Sequence, residues 1–389
     1  MNVTRSGAQE AADPARFRAE LRAWLESVPR PEGLRDYGPT PTVEDVPAGR
    51  AWQRLLADAG YSCLHWPVEY GGRNASIMEQ AVFAEETARA GVPKQLGIVG
   101  TNLAAPVIMK YGTDAQRARY LEPIRLGDHL WCQLFSEPEA GSDLASLRTR
   151  AVTHDDGWVI DGQKIWTSAA AAADYGLLIA RTGSERHRGL TAFIVPMDLP
   201  GIEVRPIRQM DDESKFNEVF FAGVRLPDEY RLGEVGQGWA VATATLGTER
   251  LSLGSQSVSM FSDLEAMIAA AVERDRVTPL LTDEFVSMWT RIWLLRATWL
   301  RAVYDDSSLD SPTFSVLKVM SSETHRDLGD LAVDVLGLDV TSGFGDNELV
   351  HKMLVARAQT ILGGTSEIQR NILAERVLGL PREPVKKDG

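Results

Sequence analysis

The chain has 389 residues, more than one hydrophobic core usually holds, so two or three domains or layers are expected. Hydrophobic residues at 44% and charged residues at 24% are ordinary globular composition, which excludes disorder except at the ends. A net charge of −13 disfavours a nucleic-acid backbone as partner, and no run approaches the ~18 apolar residues of a membrane span.

The first third reads as helical. Residues 15–28 put Phe17, Leu21, Trp24 and Leu25 on one face, 51–56 continue in that style, and 78–90 are rich in Ala and Glu. Pro67, Gly71-Gly72, Pro93 and Pro106 punctuate these segments. The pattern changes at about residue 130. Trp158-Val159-Ile160, then Asp161-Gly162, then Lys164-Ile165-Trp166 predicts a hairpin turning at Asp161-Gly162. Residues 175–180, 190–196, 202–207 and 219–226 are four more candidate strands. No helical segment separates them and no GxGxxG fingerprint occurs, so an antiparallel β domain is expected rather than a Rossmann fold. From residue 238 helical periodicity returns, with candidate helices at 239–253, 262–275, 283–304, 312–336 and 366–378. The tail, 381–389, is polar and expected to fray. The predicted class is α+β, mostly α. A helical domain spans 1–129, an antiparallel β domain 130–233 and a second helical domain 234–389.

Two cysteines, Cys63 and Cys132, form no CxxC pair, and the six histidines show no HExxH or other ligand spacing. The N-terminus lacks the apolar core of a signal peptide. A cytoplasmic, metal-free protein is the expectation.

Four places invite chemistry. The loop Ser136-Glu137-Pro138-Glu139-Ala140-Gly141-Ser142-Asp143 follows an apolar stretch, and its clustered backbone N–H groups suit a phosphate or polarised ring, or an ordinary surface turn. Trp166-Thr167-Ser168 at a strand end suits a flat aromatic ligand, or a core Trp with capped neighbours. Gly363-Gly364-Thr365-Ser366 enters a helix, and Ser366 with Gln369 fits an S-x-x-Q capping box. That start suits a diphosphate, or is simply a well-capped helix. Finally, Trp239, Ala242, Leu246, Glu249 and Leu253 share a helical face on which only Glu249 is polar. A carboxylate there has a raised pKa unless paired; an exposed Glu at the stripe's edge is the alternative.

Taken together these segments resemble the acyl-CoA dehydrogenase family. The matching stretches run in the family's order: 60–72 (GYSCLHWPVEYGG), 131–146 (WCQLFSEPEAGSDLAS), 161–168 (DGQKIWTS), 216–227, 233–250 and 361–380 (ILGGTSEIQRNILAERVLGL). The resemblance implies a C-terminal four-helix bundle, bound FAD and an acyl-CoA thioester. A carboxylate takes the α-proton while the β-hydride passes to flavin N5, and the electrons go on to an electron-transfer flavoprotein. It implies that Leu134, Ser136 and Ser142 line the flavin and the pantetheine entrance. Trp166 and Ser168 hold the isoalloxazine, and Thr365 and Glu367 lie at the diphosphate–ribose. Arg250 and Gly364 lie near the substrate.

Many members carry the base as a Glu immediately before Gly-Thr in the loop entering the last helix. Here that position is Gly363. Another branch, including isovaleryl-type enzymes, places the base in Glu-Arg-Leu on a preceding helix, and this chain has Glu249-Arg250-Leu251. The resemblance thus assigns Glu249 as base and points to a branched or bulky acyl group. Gly363 and the alanine run 169–173 leave room for one, though the run also reads as a packed turn. Where the family has Arg-x-x-Phe-Gly, reaching a neighbouring subunit's FAD, this chain has Arg274-Asp275-Arg276-Val277-Thr278. Where Gln and Gly-Gly are usual it has Asp334 and Gly337-Leu338. These departures resemble bacterial enzymes acting on steroid side chains, some of which pair two different subunits. A homo-oligomeric dimer of dimers and a heterotetramer both stay open, as do CoA and acyl-carrier-protein thioesters. A silent partner subunit and a flavin monooxygenase are the competing functions.

Overall fold

The computed structural model describes residues 13–38, 40–249, 256–304, 313–340 and 348–381, with the side chains of 246–249 and 303–304 outside that set. Arg250, Leu251 and Leu253 therefore lie outside the described residues, as does most of the polar tail.

Helix α1 (Pro14–Ser27) starts where the Asp13 carboxylate accepts from the N–H groups of Ala15 and Arg16. It buries the expected Phe17, Leu21 and Leu25 among side chains of α2 (Val46–Asp58) and α3 (Ile77–Arg89). Two helices that the sequence reading passed over follow. Pro106 sits in the first turn of α4 (Ala105–Tyr111), where a missing N–H costs nothing. A Thr113/Gln116 capping box opens α5 (Asp114–Leu126). A π-helical turn, Val99–Ala104, leads into α4.

Eight strands form one sheet: β1 (Trp131–Leu134), β2 (Arg150–His154), β3 (Gly157–Ser168), β4 (Tyr175–Arg181), β5 (Leu190–Pro196), β6 (Ile202–Ile207), β7 (Phe216–Pro227) and β8 (Arg231–Leu232). Their order is β6-β7-β3-β2-β4-β5-β8, with β1 beside β4. Strands β5 and β6 have the bounds the sequence suggested. The hairpin is elsewhere. Asp161-Gly162 does not turn the chain; β3 runs straight through it, with a register shift against β7 at Ile160/Gly162. The Asp161 carboxylate accepts from the Gly223 N–H across that shift. A Cβ on Gly162 would meet the Thr149 backbone and side chain at 2.5–2.8 Å. The residue pair that reads as a turn is thus a bulge. The turn itself lies between β2 and β3, with Asp155 in the left-handed region at φ 50°. The sheet is mostly antiparallel, but β1 pairs β4 in parallel, Trp131 beside Tyr175. Helices α4 and α5, one face of the sheet and the start of α6 (Gly238–Glu249) share continuous apolar packing, from Ile124 and Trp131 to Ile194, Val241 and Ala242, while the other face of the sheet packs a separate cluster that includes Cys132, Leu178, Phe193 and Val195.

By its contacts the chain divides into two compact units. One comprises residues 1–208 and 214–245, the other 209–213 and 246–389. In the second, α7 (Gln256–Glu273), α8 (Pro279–Tyr304) and α9 (Thr313–Leu336) pack on one another, and α9 also meets α10 (Glu348–Ala356) and α11 (Ser366–Ile372). Along α8, Leu281, Phe285, Met288, Ile292, Leu295 and Trp299 are buried at alternating spacings of four and three, a bundle seam. No described helix is long and apolar enough to cross a membrane.

Candidate active site

In the first unit, β1 delivers the loop that begins at Leu134. The Leu134 side chain is fully buried beneath Gly176, where an added Cβ would meet it at 2.2 Å, so only its backbone is left for a ligand. Ser136 is half-buried and Ser142 exposed. The loop is fixed from beneath by Lys164, which the sequence reading did not single out. Its side chain has no exposed surface, and Nζ donates to the Phe135 carbonyl at 3.0 Å and to Glu137 Oε1 at 2.8 Å. The Glu137 carboxylate also accepts from the backbone N–H of Arg148 (2.5 Å) and of Thr149 (2.9 Å). Burial pushes the Lys164 ammonium down to about 8 against the pull of Glu137. Burial opposes ionisation of Glu137, yet Lys164 and the N–H donors hold its carboxyl below the usual range. A signal existed: alternation from the inward Trp158 and Ile160 puts Lys164 on the inner face.

One residue further on, the Ile165 N–H donates to the Ser136 carbonyl at 2.9 Å, so the strand end and the loop are neighbours. Trp166 follows with φ 58°, rare for a bulky residue, at a second register shift between β3 and β7. Its indole is 56% exposed and meets Phe216 edge-on at 6.2 Å. Ser168, half-buried, closes the strand opposite Phe216. A strained backbone that holds a large aromatic ring out into solvent is the usual mark of a ligand site.

In the second unit, Gly363 and Gly364 both have positive φ, at 64° and 90°. The cap of α11 is one residue earlier than expected: Thr365, not Ser366, accepts from the Ile368 N–H at 3.2 Å. Ser366 and Gln369 form no capping box. Both are buried, and Ser366 Oγ and Gln369 Oε1 have no hydrogen-bond partner among the described residues. Glu367 is exposed. Elsewhere in this unit, Arg274 Nε lies 3.5 Å from Asp339 Oδ2. The Arg276 guanidinium packs over Gly337, where a Cβ would approach it at 2.1 Å. Arg276 and Asp334 line one cavity with Thr278, Leu280, Leu281 and Glu284. Arg274, Asp334 and Gly337 thus come to one neighbourhood, and Arg276 joins them. Glu249 ends the described part of α6. On that helix Gly238, Val241, Ala242 and Thr245 are buried and Trp239 half-buried. Glu249 follows Thr245 by four residues; its side chain is outside the described set.

The comparisons with known proteins agree along the whole chain. Models of the N-terminal, middle and C-terminal domains of acyl-CoA dehydrogenases match residues 13–128, 132–224 and 236–378. The chain belongs to the acyl-CoA dehydrogenase family, a family of flavoproteins. Acyl-CoA dehydrogenase IpdE1 of Mycobacterium tuberculosis is 42% identical over 386 residues, spanning 95% of this chain and 99% of that protein. Acyl-CoA dehydrogenase FadE34 of the same organism is 39% identical over 85% of this chain, which corresponds to 46% of FadE34. Among solved structures, the Tcur3481-Tcur3483 steroid ACAD superposes with TM-score 0.83 at 31% identity, covering 96% of this chain and 99% of that one. The ChsE4-ChsE5 complex from Mycobacterium tuberculosis gives 0.81 at 30%, covering 98% and 100%.

Proposed function

We propose that this chain, with FAD, dehydrogenates the CoA thioester of a bulky, branched or steroid-like acyl group at its α and β carbons, with Glu249 as the base. The observation that carries the base assignment is a complementarity. The loop position that holds a Glu in many relatives is Gly363, and a Glu stands instead one turn beyond the buried Thr245 of α6. The α C–H of a thioester is a weak acid. Its removal needs donors on the carbonyl and a carboxylate whose basicity is raised by a dry setting.

The residues present fit FAD. Trp166 offers an exposed indole, and Ser168 a half-buried residue with a hydroxyl two positions on. Behind the Gly363-Gly364 turn, Ser366 Oγ and Gln369 Oε1 are a buried donor and acceptor without hydrogen-bond partners among the described residues, which the hydroxyls and anionic oxygens of a dinucleotide answer. When bound, FAD supplies the hydride acceptor. Lys164 and Glu137 hold the loop of Ser136 and Ser142 in one place, which orients whatever it binds. The bulky acyl group is supported by the steroid enzyme among the solved relatives. Electron-transfer flavoprotein is the electron acceptor we infer from the family.

Two of the solved relatives are named as complexes of two chains. This supports either a heteromeric assembly or a dimer of dimers, and it keeps a second reading in play: a silent subunit supporting FAD bound elsewhere. Purification of the chain alone separates them. The proposed enzyme is yellow and is bleached anaerobically by a bulky acyl-CoA. Glu249→Gln keeps the colour and loses bleaching by roughly three orders of magnitude, within the range for a positioned base. A colourless chain would leave the silent-subunit reading; a fully active Gln variant would move the base elsewhere.

A further inference from the structure

The turn between β6 and β7 carries Asp211 and Glu213, and α10 carries His351. All three belong to the second unit, and one ligand atom from each lies within 4.8 Å of the others. The turn is closed by its own backbone: the Gln209 N–H donates to the Glu213 carbonyl at 2.9 Å, and the Asp212 N–H to the Gln209 carbonyl at 3.1 Å. The Glu213 N–H donates to Asp211 Oδ1 at 3.1 Å, which directs the other oxygen, Oδ2, towards α10.

That Asp211 side chain is only 3% exposed, and Oδ2 has no hydrogen-bond partner among the described residues. A buried carboxylate oxygen left without a partner is costly. Oδ2 faces His351 Nδ1 at 3.8 Å, too far for a hydrogen bond. It is close to the edge of a tetrahedron built from bonds of about 2.1 Å, which is about 3.4 Å. Lys352, next to His351, is committed elsewhere: its Nζ pairs with Asp263 and Glu348, each at 2.7 Å.

We propose that Asp211, Glu213 and His351 bind a divalent first-row metal ion, with zinc the best match. One imidazole and two carboxylates are a zinc ligand set, and a water completes four-coordination. Calcium takes six to eight oxygen ligands, which these side chains do not offer, and magnesium prefers oxygen donors to an imidazole. Two carboxylates balance the charge of the ion, and the neutral imidazole supplies the nitrogen donor. The ligands come from positions 211, 213 and 351, so the histidine spacing that argued for a metal-free chain could not reveal them.

The test uses the full-length chain, stripped with a chelator and titrated with zinc chloride against a chromophoric competitor. One equivalent is bound per chain, and zinc raises the melting temperature. His351→Gln and Asp211→Asn each weaken binding more than tenfold and abolish the zinc-dependent rise; even outer-shell partners of a metal commonly contribute about 10- to 100-fold. Far-ultraviolet circular dichroism of each variant separates lost binding from lost folding, and His351, being partly exposed, is the milder change. Unaltered zinc affinity in both folded variants would overturn the proposal. So would absence of binding by the unmodified chain at micromolar zinc, which would assign His351 a plain electrostatic contact with Asp211. The outcome does not depend on the dehydrogenase reading.

Discussion

Lys164 shows how a single residue governs a site it need not touch. A buried ammonium is tolerated only with full compensation, and here Glu137 and the Phe135 carbonyl supply it. Lys164→Met leaves the Glu137 carboxylate buried against two N–H donors alone, and should cost about 3–5 kcal/mol in chemical denaturation. Replacing both partners by apolar residues should cost less than either single change. The pair also sets an acid limit. Because the folded carboxyl of Glu137 titrates below its unfolded value, its contribution is fully present above about pH 4.3 and is lost as pH falls through the folded value. Glu137→Gln should flatten that part of the stability–pH curve, and an unchanged acid slope would contradict the assignment. Sequence alternation places Lys164 inward. It cannot name Glu137, because that partner is brought in by the loop after β1, a tertiary fact. The motif singles out Trp166 and Ser168 as candidates, but not the left-handed backbone at Trp166, since bulky residues seldom adopt it.

At the level of elements, the apolar run of β5 and the apolar–polar alternation that opens β6 were legible to the residue, and long helices such as α8 and α9 nearly so. The failures share a cause. An Asp-Gly pair serves a tight turn and a bulge equally well, and only the partner strand decides. At Gly162 the decision is made by Thr149, whose backbone and side chain leave no room for a Cβ. Gly162→Ala should therefore destabilise by about 1–3 kcal/mol, the usual range for overpacking, measured by thermal or urea unfolding. Had the pair been a free turn, alanine there would act only through its positive φ. Helix α4 was missed because it is short and α5 because Pro123 lies inside it, and their boundary signals, Pro106 and Thr113, read equally as loop punctuation.

For the whole molecule, the family was legible because six short motifs keep their order over nearly the full length, and chance does not preserve order. What no motif disclosed is the outer face of α8. Beside its buried seam, Val286, Trp289 and Trp293 form a second stripe at spacings of three and four, each well exposed, with Leu294 nearby. Trp289 and Trp293 meet edge-on at 5.8 Å, and Phe261 extends the surface from α7. A helix apolar on two faces expects a second neighbour. We expect this stripe to be covered by another subunit, like or unlike. The pair Trp289→Asp with Trp293→Asp should shift the sedimentation profile towards the single chain while leaving its helical content intact. An unaltered profile would place the subunit contact elsewhere.

The parallel seat of β1 carries a kinetic consequence. Strand β4 lies far along the chain from β1, and a parallel pair cannot be closed by a turn, so this contact forms late on grounds of loop entropy alone. The loop of Ser136 and Ser142 hangs from β1. A nascent chain should therefore close its β4–β5 pair before it can hold a dinucleotide. In refolding followed by pulsed hydrogen exchange, amides of β4 and β5 should be protected ahead of those of β1, with cofactor capture keeping pace with β1. Colour returning before β1 is protected would reverse that order.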